Sequence, residues 1–246
     1  MTERSFKTDA LVLLSRPLGE ADRLVTFLSW DRGKFTAVAR GARKTMSKLA
    51  AGVELFTYGH YQFYRGRNLA TLTGQQVKEH FHYFRDHPEL YPLGLYLAEL
   101  AGSVVSGEGP APEICNLLLE GWRRLIEQPD PQLFLRAFEL KLLDFSGHCP
   151  HLNGCLQCGS AAASFFSPRQ GGLLCGDCGH AADRFTVQPG TVALARRLLK
   201  APLQQVKQIR PQGGQSHELG RLTGTFLRYH LDIGESRGLS LLKLFK

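Results

Sequence analysis

The chain has 246 residues, 43% of them apolar and 21% charged, proportions of an ordinary folded protein with at least one sizeable core, which exclude a disordered or fibrous chain. No apolar run nears the length of a membrane helix, the first ten residues lack a basic segment followed by an apolar one, and six cysteines are few for a disulfide scaffold of this size, so a cytoplasmic protein is expected. The net charge of +8 is segregated, with 13 Lys and Arg against 7 Asp and Glu in residues 1–80, 7 against 12 in 81–195, and 10 against 3 in 196–246. Basic ends around an acidic middle favour a partner with a negative surface. No basic amphipathic helix with aromatic anchors argues for lipid, so nucleic acid leads.

Residues 1–80 predict a small barrel. β-branched and aromatic residues alternate with polar ones near 8–15, 22–30, 34–40, 57–65 and 69–77, punctuated by Gly33, Gly41, Gly59 and Gly66. Five short strands suggest the five-stranded barrel of the OB type, whose strand face and loops commonly bind single strands. Between Arg32 and Lys48 stand six basic residues, Arg32, Lys34, Arg40, Arg43, Lys44 and Lys48, and no acidic one. Lys34, Thr36, Val38 and Arg40 share one strand face, and Gly41 turns the chain into a loop bearing Arg43 and Lys44. A solvating edge would carry mixed signs, so the absence of a balancing acid favours contact with phosphates. A second cluster, Tyr58, Tyr61, Phe63, Tyr64, Arg65 and Arg67, has two readings: aromatics filling the barrel interior, the default, or an exposed stacking platform beside arginine. Lys34, Arg40, Arg43, Lys44, Lys48, Arg65 and Arg67 are the candidate DNA contacts.

From Pro88 the period changes. Leu90, Leu93, Leu97, Leu100 and Val104 mark one helical face, Ile114 to Ile126 a second helix after Pro112, and a third follows Pro131 and stops near Gly147. Residues 81–148 are therefore expected to form a helical domain, completed by helices near 190–200 and 217–231 within residues 186–246. His87-Pro88-Glu89 matches half of a zinc deaminase signature, but neither cysteine pair follows the proline which that chemistry requires. No other hydrolase, protease or nucleotide-binding motif occurs, so no enzyme is expected.

Residues 149–185 lose periodicity and hold Cys155-Leu-Gln-Cys158 and Cys175-Gly-Asp-Cys178, two C-x2-C pairs separated by sixteen residues. Two thiolates three residues apart grip one ion from a tight turn, and two such turns complete a tetrahedron; four sulfur ligands select zinc and leave no open position. Gly159 and Gly179 supply backbone freedom after each pair. Two redox pairs are the weaker reading, because redox motifs come singly at strand-to-helix junctions. Cys115 and Cys149 fall outside the pattern and are expected to be small buried residues. His148, His151 and His180 flank the pairs and read as surface residues.

With these residues in view, the chain resembles the RecO family of recombination mediators. Gly19-Glu20-Ala21-Asp22-Arg23-Leu24, Gly33-Lys34 and Ala39 to Lys44 are similar to its N-terminal pattern; Cys155 to Gly159 and Gly171 to Cys175 with Cys178 to its zinc segment; Arg228-Tyr229-His230-Leu231 and Leu239-Ser240 to its C-terminal end. The resemblance implies an α+β multidomain protein: an N-terminal five-stranded OB-type barrel, a helical domain and a four-cysteine zinc module inserted before the last helices. It further implies binding to single- and double-stranded DNA, annealing of complementary strands, and work with RecR and the single-strand-binding protein to load the RecA recombinase, in the cytoplasm and at the nucleoid. A zinc-ribbon adaptor acting through protein contacts is the alternative, favoured by the apolar helical middle.

Overall fold

The structure, a computed structural model, describes residues 4–180, 182–231, 237, 238 and 240, so Leu239 of the C-terminal motif lies outside the described residues. The chain is mixed α+β and divides into two compact units, residues 1–123 with 236–246, and residues 124–235. Among the described residues no helix is long and apolar enough to cross a membrane.

The first unit is built on five strands, β1 (Ser5–Leu18), β2 (Asp22–Ser29), β3 (Gly33–Ala39), β4 (Thr57–Arg65) and β5 (Ala70–His80), closed into a barrel in the order β1-β2-β3-β5-β4. All neighbours are antiparallel except β3 and β5, which run parallel and pair only at Ala37 with Ala70 and Val38 with Thr71. Alternation decides the interior. Ala10, Val12, Val25, Phe27, Ala37, Ala39, Tyr61 and Phe63 point inward and are wholly buried, whereas Gln62 and Tyr64 beside them on β4 are exposed. Phe27, Tyr61 and Phe63 meet edge-on or tilted at 4.9–6.2 Å, geometries that favour contact of ring edges with ring faces. The Tyr61 hydroxyl donates to the Gly52 carbonyl at 2.8 Å, and burial pushes its pKa well above the usual phenol value. Tyr61 and Phe63 thus take the interior reading of the aromatic cluster.

Helices α1 (Tyr83–Asp86), α2 (Tyr91–Val104) and α3 (Pro112–Leu125) follow the barrel. Trp122 of α3 is fully buried, stands edge-on to Phe56 at 5.4 Å and donates its indole N–H to the Gly94 carbonyl at 3.1 Å. Gly94 has no room for a side chain, because a Cβ there would lie 2.4 Å from the Phe84 ring. Residues 107–111 pair with the β2–β3 turn, Lys34 N–H reaching Gly107 O at 3.3 Å and Ala111 N–H reaching Trp30 O at 3.1 Å.

In the second unit α4 (Pro131–Phe145), α5 (Pro189–Lys200) and α6 (Gln215–His230) pack together. The expected stops hold. Asp130 caps α4 by accepting from Leu133 N–H at 2.9 Å, and Gly147, at φ +80°, ends it, with His148 N–H returning to Leu143 O at 2.8 Å. Between α4 and α5 lies a three-stranded sheet of β6 (Ala163–Ser167), β7 (Gly172–Cys175) and β8 (Phe185–Thr186), in the order β7-β6-β8.

Gly33 adopts φ +64°, and a Cβ there would approach the Gly109 carbonyl oxygen to 2.4 Å. We expect Gly33→Ala to lose about 1–3 kcal/mol of stability from backbone strain alone, and more if residues 107–109 are displaced; urea unfolding of the two proteins checks this.

Candidate functional site

The cysteine module folds from local turns upward. Cys155 N–H bonds to Ser160 O at 2.8 Å and Gly159 N–H to Cys155 O at 2.9 Å, closing a turn over the first pair that requires Gly159 at φ +74°. Leu156 N–H to Leu173 O, 2.8 Å, ties that turn to β7, whose last residue is Cys175. Gly179 serves otherwise than by left-handed backbone: a Cβ there would lie 2.7 Å from the Cys175 carbonyl oxygen. The four sulfurs of Cys155, Cys158, Cys175 and Cys178 all lie within 4.8 Å of one another.

That proximity forbids four thiolates without a cation, because like charges so close repel strongly. Burial raises the Cys155 thiol, but backbone N–H groups of Cys158, Cys175 and Gln157 outweigh it and bring the group down to about 6. Cys178 is pushed up to about 12, chiefly by hydrogen bonding to the sulfurs of Cys175 and Cys158. A metal ion among the four satisfies all of them. Cys115 is buried, as expected, and its thiol is raised to about 12 by burial. Cys149 is not: it is exposed, two residues past the glycine that ends α4.

The expected DNA contacts fall into two groups at opposite ends of β3, which at about 3.3 Å per residue spans roughly 20 Å. Arg40, Arg43, Lys44 and Lys48 sit on the loop after the strand, all exposed. Lys34, Arg65 and Arg67 gather at its start, lining with Arg32, Phe6, Phe35 and Glu108 a cavity of about 410 Å³. Arg32 lies 4.1 Å over the Phe6 ring. Its place there was readable only as part of the basic run, and the cavity with its aromatic walls, Phe6 and Phe35, left no sequence signal.

The side chains differ in availability. Lys34 is half-buried with its ammonium on the Gly102 carbonyl, Arg43 donates to Gly19 O, and Arg65 stands 3.8 Å from Glu108. Arg40, Lys44, Lys48 and Arg67 have no acidic partner among the described residues. Three other cations of this unit are paired, Lys78 with Asp9, Arg85 with Glu54 and Arg123 with Glu79, whereas Arg4, Lys7 and Arg16 are exposed and also lack an acidic partner among the described residues. Burial raises the Asp9 carboxyl, but hydrogen bonds from Lys78, His60 and Tyr58 outweigh that and hold it below the usual carboxylate range.

The chain matches two family patterns end to end, Recombination protein O N terminal over residues 1–81 and Recombination protein O C terminal over residues 85–237. It belongs to the RecO family. Among its relatives is the DNA repair protein RecO of Alkaliphilus metalliredigens, 33% identical over 96% of this chain and 98% of its own length. The proteins of the same name from Pelotomaculum thermopropionicum and a Roseiflexus species are 34% and 36% identical, over 92% and 94% of this chain and 90% and 83% of theirs. It is thus a DNA repair protein of the RecO family, and the fold locates the segments that carried the resemblance. Gly19 to Ala21 form the β1–β2 turn and Asp22 to Leu24 open β2, and residues 39–44 fold onto them: Asp22 Oδ1 accepts from Gly41 N–H at 2.7 Å, and Arg43 N–H donates to Ala21 O at 2.9 Å. The two RecO-like stretches at the front are one hydrogen-bonded structure that presents Arg40 and Lys44.

Freshly purified protein should contain about one metal ion per chain, and Cys175→Ser should contain almost none, since three thiols leave one site of the tetrahedron open. Elemental mass spectrometry of both proteins decides this.

Proposed function

We propose that this chain is a DNA-binding recombination mediator without a catalytic step of its own, gripping phosphates with the barrel loop and strand end. The observation that carries this reading is the gathering of free charge on one loop: Arg40, Lys44 and Lys48 stand exposed within nine residues, and they and Arg67 lack acidic partners among the described residues, whereas Lys78, Arg85 and Arg123 of the same unit are paired. Phosphates are the partners such groups await. Residues 1–80 are then the DNA-binding part, 81–148 and 186–246 the helical part, and 149–185 the zinc module.

The family likeness supports the finer roles: binding single- and double-stranded DNA, annealing complementary strands and, with RecR, loading RecA onto strands covered by single-strand-binding protein, in the cytoplasm at the nucleoid. The metal in this reading is zinc. A tetrahedron with zinc–sulfur bonds of about 2.3 Å has edges of about 3.8 Å, and Cys158 and Cys175 already place their sulfurs 3.7 Å apart. With four protein ligands the ion is structural. Its binding, about 10–16 kcal/mol in small modules, is comparable to a domain's whole stability of about 5–15 kcal/mol, so losing a ligand unfolds the module locally.

If about five phosphates are neutralised on a single strand, log affinity should fall against log salt with a slope near about −3.5, so that fourfold more salt weakens binding about a hundredfold. Arg40→Ala and Lys44→Ala should each flatten that slope by something under about one unit, whereas Cys175→Ser leaves it unchanged. Fluorescence anisotropy of a labelled strand at several salt concentrations measures all four proteins. A flat dependence, or strong preference for one base sequence, contradicts the reading.

A further inference from the structure

The second unit carries a basic and aromatic groove of its own. Arg221, Thr225, Arg228 and Tyr229 form one stripe along α6, and with Pro168, Asp183 and Phe185 of the cysteine module they line an open cavity of about 370 Å³. Arg221 lies 4.3 Å above the Phe185 ring, which steadies its guanidinium over apolar surface. Arg221 and Arg228 are exposed, and neither has an acidic partner among the described residues. The acid lining the groove, Asp183, is directed elsewhere: its Oδ1 accepts from the Ser167 hydroxyl at 2.9 Å and its Oδ2 from Arg169 N–H at 2.8 Å.

Tyr229 is 54% exposed, an unusual place for a large ring. It is nonetheless braced. The His230 ring stands edge-on to it at 5.0 Å, and His230 is itself fixed, its Nε2–H donating to Pro168 O at 2.8 Å and its ring lying 4.2 Å from Phe226. Arg221 and Arg228 are seven residues apart, about 10 Å along the helix axis. With both side chains extended along the groove, that spacing suits successive phosphates of a strand.

We propose that this groove is a second contact for single-stranded DNA, in which a base stacks on Tyr229 while neighbouring phosphates lie against Arg228 and Arg221. An exposed ring flanked by arginines is the combination that grips single strands without regard to sequence. The inference rests on the reading of the chain as a DNA-binding protein, and it gives one chain two places for DNA. A protein holding two strands at once brings them together.

The experiment uses the full, metal-loaded chain and a twelve-nucleotide thymidine strand, which cannot pair with itself. Sedimentation at saturation should show two strands per chain. Arg221→Glu combined with Arg228→Glu should leave one strand, bound at unchanged affinity. Tyr229→Ala should weaken only the groove strand, about tenfold, whereas Tyr229→Phe should keep it. Unchanged metal content and melting temperature certify each fold, and the conservative Tyr229 pair serves should the charge reversal not fold. Arg40→Ala with Lys44→Ala should weaken only the other strand; if it weakens neither, the barrel reading fails while the groove stands. One strand per chain in the natural protein, or unchanged groove affinity in Tyr229→Ala, overturns the proposal. So does binding of a polyglutamate peptide at these residues in place of a second strand, which assigns the groove to an acidic protein segment.

Discussion

The barrel closes through one short contact. β3 and β5 pair in parallel over only Ala37–Ala70 and Val38–Thr71, and everything at the candidate DNA face depends on that brevity. Because the strands part beyond those two pairs, the start of β3 and the tip of the β4–β5 hairpin diverge, and the cavity lined by Arg32, Lys34, Arg65 and Arg67 opens between them. The other end of β3 runs into Arg40 and a loop folded back onto the β1–β2 turn through Asp22. A longer β3–β5 ladder would zip the cavity shut and bury the hairpin tip. The interior holds the strands in place against this loose seam, since Phe27, Tyr61 and Phe63 fill the axis without exposing an edge.

Electrostatics then separates structure from surface. Asp9 gathers Lys78, His60 and Tyr58, and Glu79 takes Arg123, so cations at those positions are neutralised within the fold. Exposed pairs of this kind contribute little stability, about 0–1 kcal/mol each. Their effect is to remove Lys78 and Arg123 from the uncompensated positive charge of this unit, which is densest on the loop of residues 40–48. The cysteine module solves a harder problem, because its four sulfurs lie too close to ionise together without a cation.

Much of this was legible in the sequence because the signals were local. Period-two alternation located all five barrel strands, and the C-x2-C spacing found the cysteines that the fold brings together. β1 nonetheless runs past the expected residue 15 to Leu18, since Arg16, Pro17 and Leu18 pair with Leu24, Arg23 and Asp22 by hairpin register and not by strand propensity. β6, β7 and β8 were missed in a stretch without a clear period. They are five, four and two residues long, too short to show one. Sequence also failed to tell which basic residues are spoken for. Lys34 and Arg40 look equivalent on one strand face, yet Lys34 reaches a carbonyl at Gly102, 68 residues away in sequence, while Arg40 has no acidic partner among the described residues. Long-range partners of that kind carry no local signature, and neither does the exposure of Cys149.

Under the proposed function, unpaired cations on the barrel, and not its basic residues in general, hold DNA. Lysine acetylation footprinting by mass spectrometry, with and without saturating single-stranded DNA, addresses it directly because Lys44 and Lys48 lack acidic partners among the described residues while Lys78 is bound to Asp9. DNA should protect Lys44 and Lys48 and leave Lys78 as reactive as in the free protein. Equal protection of all three, or protection of Lys78 with Lys44 and Lys48 unchanged, would mean that pairing within the fold does not decide which cations hold DNA.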